Sequence, residues 1–114
     1  WTHLPLDEVS KSMHKVAAVL EPTHGRFYAT FYECPEGAPL HKPILQYHHQ
    51  LEKIVSHGHK DWFHHKRSAL ESRAQAAGLS MRFIGDWGHP RGQLMLEFRR
   101  LSSAPPPAKK EAVE

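Results

Sequence analysis

The chain has a single cysteine, Cys34, so no disulfide forms within it, and a reducing, cytoplasmic setting is the expectation. No apolar run approaches the roughly 18 residues a membrane helix needs, and no signal peptide is recognisable, so no membrane role is expected. Like charges never run five or six in a row. The excess of 15 Lys and Arg over 12 Asp and Glu is mild and scattered, and nucleic acid is not implied as a partner. No initiator methionine opens the sequence; Trp1 starts inside a motif, which points to a fragment or a processed product.

What the sequence holds in excess is histidine. Eleven are present, and seven fall between His41 and His65. With 114 residues the chain is one domain at most. Leu6, Val9, Met13, Val16, Ala17 and Leu20 recur at helical steps, which predicts an amphipathic helix over Leu6 to Leu20, stopped by Pro22. Arg26 to Cys34 carries aromatic residues on both faces and reads as a buried strand. The spacing of Ile44, Tyr47, Leu51, Ile54 and Val55 predicts a helix over Ile44 to Val55, although Ile44 to Tyr47 also reads as extended. Asp61 is placed to cap a short turn through Trp62 and Phe63.

Leu70, Ala74 and Ala77 mark a helix from Arg67 to Ala77, with Gly78 where a left-handed cap residue is wanted. Ser80 to Asp86 is a strand, and Gly85 to Gly92 turns the chain. In Gln93 to Leu101, Leu94, Leu96 and Phe98 alternate with Met95, Glu97 and Arg99, a strand with one buried face. The short link predicts antiparallel pairing. Ser102 to Glu114, with three consecutive prolines, reads as a disordered tail.

This order resembles the C-terminal half of a class I S-adenosylmethionine-dependent methyltransferase, over Trp1 to Leu101. Trp1-Thr2-His3-Leu4 is similar to the segment after that family's fourth strand, commonly Phe-Thr-His-Leu, which runs beneath the methionine part of the cofactor. Gly25 to Glu33 resembles the fifth strand. Leu20 to Gly25 stands where Leu-Lys-Pro-Gly-Gly is usual, one residue longer. Ala77-Gly78-Leu79 with Gly85-Asp86-Trp87-Gly88-His89-Pro90-Arg91-Gly92-Gln93 resembles the terminal hairpin of a bacterial subgroup acting on small molecules. Lys60-Asp61-Trp62-Phe63-His64-His65 resembles that subgroup's Asp-Pro-Phe-His-Tyr stretch, with Trp62 in place of Pro and His65 in place of Tyr.

The resemblance implies an α/β fold: part of a Rossmann-like methyltransferase sheet, closed by an antiparallel seventh strand inserted between the fifth and sixth. It implies S-adenosylmethionine as cofactor and a small molecule as acceptor. It also implies cofactor-side roles for Thr2, His3 and Leu4. His3 is the candidate general base, histidine being the commonest base near neutral pH. Glu33, at the carboxyl end of its strand, is a second catalytic candidate, since ligands of open α/β sheets bind there. His64, Trp87, His89 and Arg91 fall in the subgroup's motifs and are substrate-binding candidates. Arg91 suits a carboxylate or phosphate, while Trp87 and Pro90 also read as stiffening the hairpin.

Absent are a Gly-x-Gly loop after a first strand and an acidic residue ending a second, so residues 1–114 alone are expected not to bind the cofactor or turn over. The strand Gly25 to Cys34, lacking its family neighbour, is expected to present an open edge that favours homodimers or aggregates. The alternative reading is a non-catalytic, His-rich α/β binding module, dimeric and metal-binding through the His41 to His65 region. The histidines there lack cysteine partners and a recognised zinc spacing, which argues against a resident metal.

Overall fold

The computed structural model describes residues 1–46, 54–89 and 91–101. These form an α/β unit in which two helices pack on a four-stranded mixed sheet. Helix α1 spans Leu6–Val19 and strand β1 Phe27–Glu33. Two short strands, β2 (Ile44–Gln46) and β3 (Ile54–Ser56), form a separate ribbon. Then come β4 (His64–His65), α2 (Arg67–Ala76), β5 (Leu79–Asp86) and β6 (Leu94–Arg100). No helix among the described residues is long and apolar enough to cross a membrane.

Helix α1 forms where its periodicity predicts. Val9, Met13 and Ala17 lie one turn apart on its buried face. The Pro5 carbonyl accepts from the amides of Glu8 and Val9, and Asp7 and Glu8 place negative charge at the positive end of the helix. Beyond Leu20, the Glu21 carboxylate accepts from the amides of Thr23 and His24 and turns the chain into β1.

The sheet order is β4-β1-β6-β5. Strand β6 pairs antiparallel with both β1 and β5, so those two run the same way. An antiparallel last strand between two strands that run the same way makes this a mixed sheet. Phe31, Leu79, Leu96 and Phe98 meet Val9 and Met13 of α1 and Leu70 and Ala74 of α2 in one core, so both helices cover the same face. Gly78 ends α2 with φ +85°, a conformation that costs other residues a steric penalty.

A β-bulge falls between Phe83 and Gly85, where the register against β6 slips by one. Gly85 has φ +91°, and a Cβ there would stand 3.0 Å from the Phe83 ring. Gly85→Ala is therefore expected to lower stability by about 1–2 kcal/mol, read as a lower urea midpoint, the cost of forcing an L-residue left-handed.

Two expectations need correction. The helix over Ile44 to Val55 is not formed at either described end. Ile44–Gln46 and Ile54–Ser56 are instead paired strands, with Leu45 opposite Val55. The Gln46 amide ties the ribbon together by donating to the Ser56 hydroxyl (3.0 Å) and the Glu33 carbonyl (3.0 Å). β-Branched Ile44, Ile54 and Val55 suit that geometry. Residues 47–53, including Tyr47, His48, His49 and Leu51, lie outside the described residues, as do Pro90 and the tail from Ser102.

The edge of β1 expected to be open is covered along its second half. The Trp1 backbone nitrogen donates to the Thr30 carbonyl (2.9 Å), β4 pairs in parallel with Tyr32 and Glu33, and the Cys34 amide donates to the His65 carbonyl (2.9 Å). Exposed ladder groups have here found local partners. Cys34 itself is fully buried, as a small apolar residue would be, and burial pushes its thiol pKa up.

Candidate functional site

The segment Trp1 to Leu4 has no helix or strand of its own, yet it is fixed at three points. Trp1 is held on β1 as described. The Thr2 carbonyl accepts from the Phe63 amide (2.7 Å), and the Leu4 carbonyl accepts from Nε2 of His65 (3.1 Å). His65 is buried. Desolvation lowers its pKa, and its hydrogen bonds to the Trp1 and Leu4 carbonyls oppose that shift. This histidine, one of the two departures from the subgroup's motif, thus holds the segment that carries Thr2 and His3.

The anchored segment lines a cleft of about 510 Å³ with Trp62, His89, Arg91 and Gln93. The His3 side chain is exposed and packs on the Trp62 ring, centroids 4.7 Å apart. Its Nδ1 lies 3.4 Å from the Asp61 carboxylate. On the far side the hairpin between β5 and β6 supplies the wall. The Arg91 amide donates to His89 Nδ1 (3.0 Å), and the Trp87 ring packs on His89 while its indole N–H donates to the Gln93 carbonyl (3.1 Å). The Gln93 side chain accepts from the Thr30 hydroxyl (2.6 Å), joining this wall to β1. Burial, and then the Arg91 charge, lower the His89 pKa and favour the neutral imidazole, whose Nδ1 is the acceptor of the Arg91 amide.

Four residues singled out in the sequence therefore converge: Thr2, His3, His89 and Arg91. Trp87 backs them through His89 and Gln93. Leu4 does not line the cleft; its side chain packs on the hydrophobic core. Trp62, Gln93 and Asp61 were not recognised as site residues. Trp62 had a signal, since it replaces a proline in the subgroup's motif; Gln93 and Asp61 had none beyond lying inside quoted stretches.

Glu33 and His64 are placed elsewhere. Glu33 accepts from Nε and the terminal nitrogen of Arg67 at 3.1 and 3.2 Å, a two-pronged pair, and the same guanidinium lies 3.5 Å over the Phe83 ring. The Glu33 carboxylate, a catalytic candidate by its place on the strand, ties the end of β1 to the start of α2. It lines a separate depression with Glu36, Arg67, Ser68 and Glu71. There Glu36 accepts from the Ser68 amide (2.9 Å) and hydroxyl (2.6 Å), which caps α2 and holds the Glu36 pKa below the ordinary value.

His64 is buried, and both ring nitrogens are engaged. Its Nε2 donates to the Leu40 carbonyl (2.8 Å), and Nδ1 shares a proton with the Ser56 hydroxyl (2.8 Å). It fastens the β2–β3 ribbon to the sheet and has no nitrogen left for a substrate. Among the described residues, no three His, Cys, Asp or Glu side chains are grouped so as to hold a metal ion.

The cleft thus combines an imidazole beside a carboxylate, an indole face, a guanidinium and a primary amide. Such a set can position a small flat molecule and accept a proton from it. No protein-family model, curated protein or solved structure matches this chain.

Proposed function

We propose that these residues form the acceptor-side half of a class I S-adenosylmethionine-dependent methyltransferase domain, Rossmann-like in its parent sheet, that methylates a small molecule. The observation that carries this reading is the strand order. A closing strand lies antiparallel between two strands that run the same way, and both helices sit on one face. Convergence of the motif segments supports it further, since Thr2-His3 and His89-Arg91 come from opposite ends of the sequence and share one cleft.

S-adenosylmethionine supplies an electrophilic methyl group when bound. The residues present fit one side of it. The rigidly anchored Trp1 to Leu4 segment suits the methionine end, with His3 exposed toward the cleft. Among the described residues there is no glycine-rich turn between a strand and a helix and no carboxylate set for a ribose, so this reading requires other residues to hold the rest of the cofactor. What this chain contributes is alignment of the acceptor and a place for its proton. The His-rich binding-module alternative has less support, because His64 and His65 are engaged within the fold.

The test is calorimetric titration of S-adenosylmethionine into residues 1–114 and into the product of the whole reading frame, followed by transfer of labelled methyl to a panel of small acceptors. Saturable binding and transfer by the whole product, with none by residues 1–114, is the expected result. A whole product with neither binding nor transfer overturns the reading.

A further inference from the structure

We infer that the cleft takes a flat acceptor bearing an acidic hydroxyl, a phenol, and that Asp61 is the positioning residue that holds His3 to receive its proton. This rests on the methyl-transfer reading for its chemistry, but not for its binding test.

Three observations lead to it. The Trp62 indole lines the cleft, and an indole suits an aromatic ring packed at van der Waals distance. His3 is packed against that ring and has a carboxylate on its Nδ1 side. A carboxylate there favours the tautomer with the proton on Nδ1, stabilises the imidazolium that forms, and leaves Nε2 as the proton acceptor. The 3.4 Å separation is an ion-pair contact looser than a hydrogen bond, as catalytic pairs commonly are before substrate binds. Finally, Arg91 and two imidazoles line the cleft, and the Asp61 carboxylate is turned to His3 Nδ1, an arrangement that favours an oxygen gaining negative charge over an ammonium ion.

Proton affinities choose among hydroxyls. A phenol gives up its proton near 10 and a water-like alcohol near 15.7, so the phenol is the easier donor to an imidazole base by about 6 pKa units, within reach as the methyl bond forms. In the step itself the phenol O–H bond breaks and its proton passes to His3 Nε2. The oxygen electron pair forms the new bond to the methyl carbon as the carbon–sulfur bond breaks, and that bond's pair stays on sulfur. A neutral phenol, a neutral imidazole and a sulfonium become a neutral ether, an imidazolium and a neutral thioether, so atoms and charge balance.

The experiment is titration of residues 1–114 with 4-nitrophenol, whose visible absorbance reports its ionisation, alongside quenching of tryptophan fluorescence. Saturable binding is expected, with a larger phenolate fraction on the protein than free in the same buffer. Trp62→Ala is expected to weaken binding about tenfold, the loss of a stacking face. His3→Gln should abolish the excess phenolate while leaving binding within about threefold, since the ring face of Trp62 remains. Asp61→Asn should lower the excess and shift its pH profile, and Asp61→Glu should restore part of it. These side chains are largely exposed except that of Trp62, so circular dichroism should show a retained fold for the His3 and Asp61 variants. Binding indifferent to all three positions, or cyclohexanol bound as tightly as 4-nitrophenol, overturns the inference. Methyl transfer by the whole product to non-phenolic acceptors alone would also overturn it while leaving the proposed function standing. Phenol binding that depends on Trp62, with a phenolate excess that depends on His3 and Asp61, in a product that transfers no methyl, would sink the proposed function and leave the cleft assignment intact.

Discussion

Phe98→Ala is expected to destabilise the fold by about 3–5 kcal/mol, the usual cost of truncating a fully buried aromatic residue. Phe98 has no exposed surface and lies on β6, which is hydrogen-bonded on both sides. It sits opposite Phe27 on one neighbour and Met81 on the other. Its ring also meets Trp1 (5.4 Å) and Phe27 (6.0 Å) in tilted contacts. Removing it therefore empties the middle of the sheet and also loosens the residue from which Thr2 and His3 are hung. A domain of this size commonly has only about 5–15 kcal/mol in hand, so the variant should unfold at a far lower urea concentration. Val19→Ala, at a position 84% exposed on α1, is the matched control and should shift stability by less than about 0.5 kcal/mol. A Phe98→Ala variant within 1 kcal/mol of the parent, by the roughly linear urea extrapolation, would mean the core is not packed as described.

The contrast between those two residues was readable from sequence, and so was much of the scaffold. Helix α1 and strand β6 announce themselves by local period and β1 by its run of aromatic residues, because every residue that defines them lies within a few positions of the next. The β2–β3 ribbon does not. Ile44 pairs with Ser56, and the hydrogen bonds that make the ribbon worth forming come from Gln46, Ser56 and His64, dispersed along the chain. Apolar spacing alone fits a helix there equally well. A two-residue strand such as β4 has no period at all.

The site divides along the same line. His3, His89 and Arg91 were legible through short motifs. Trp62 and Asp61 reach the cleft because the Phe63 amide is bonded to the Thr2 carbonyl, a contact between distant segments that no local pattern encodes. Glu33 illustrates the converse. Its place at a strand's carboxyl end made it a catalytic candidate, but the residue that captures it, Arg67, lies 34 positions further on. Glu97 shows how alternation misleads. Counting by twos puts it on the face away from the helices, which is correct, and suggests that it is solvated, which is not.

Glu97 is only 4% exposed because cations close over it. Arg82 donates to it at 3.0 Å, Arg99 stands at 3.4 Å and Arg26 at 3.9 Å, and the Tyr28 hydroxyl donates at 3.1 Å. The hydrogen bond from Arg82 is the largest influence, and together these hold its pKa near about 2 against an ordinary 4.5. A carboxylate with a lowered folded pKa stabilises the fold fully above its unfolded value, and that contribution is lost as pH falls toward the folded one. The shift would convert to about 3 kcal/mol, but Arg82 and Arg99 are substantially exposed and screened by water, so about 1–3 kcal/mol is expected.

His65 acts in a higher window. Burial lowers its pKa below the ordinary 6.5, so the folded state prefers the neutral ring. Stability is complete above 6.5 and declines as pH falls below it, because the unfolded chain takes up a proton that the folded chain resists. Urea midpoints followed with pH should thus hold steady near neutrality, begin to fall below 6.5, and fall more steeply below 4.5. Glu97→Gln should lower the neutral plateau by about 1–3 kcal/mol and flatten the acid limb, since the amide keeps the shape and loses the charge. His65→Gln should make the upper limb shallower, His89 contributing the rest, and leave the acid one, its amide still able to donate to Leu4. Glu21 and Glu36 also titrate low but are solvent-facing, so the variants isolate Glu97. An acid limb unchanged in Glu97→Gln would show that the arginine cluster contributes nothing to folding and that its charge lies idle on the surface.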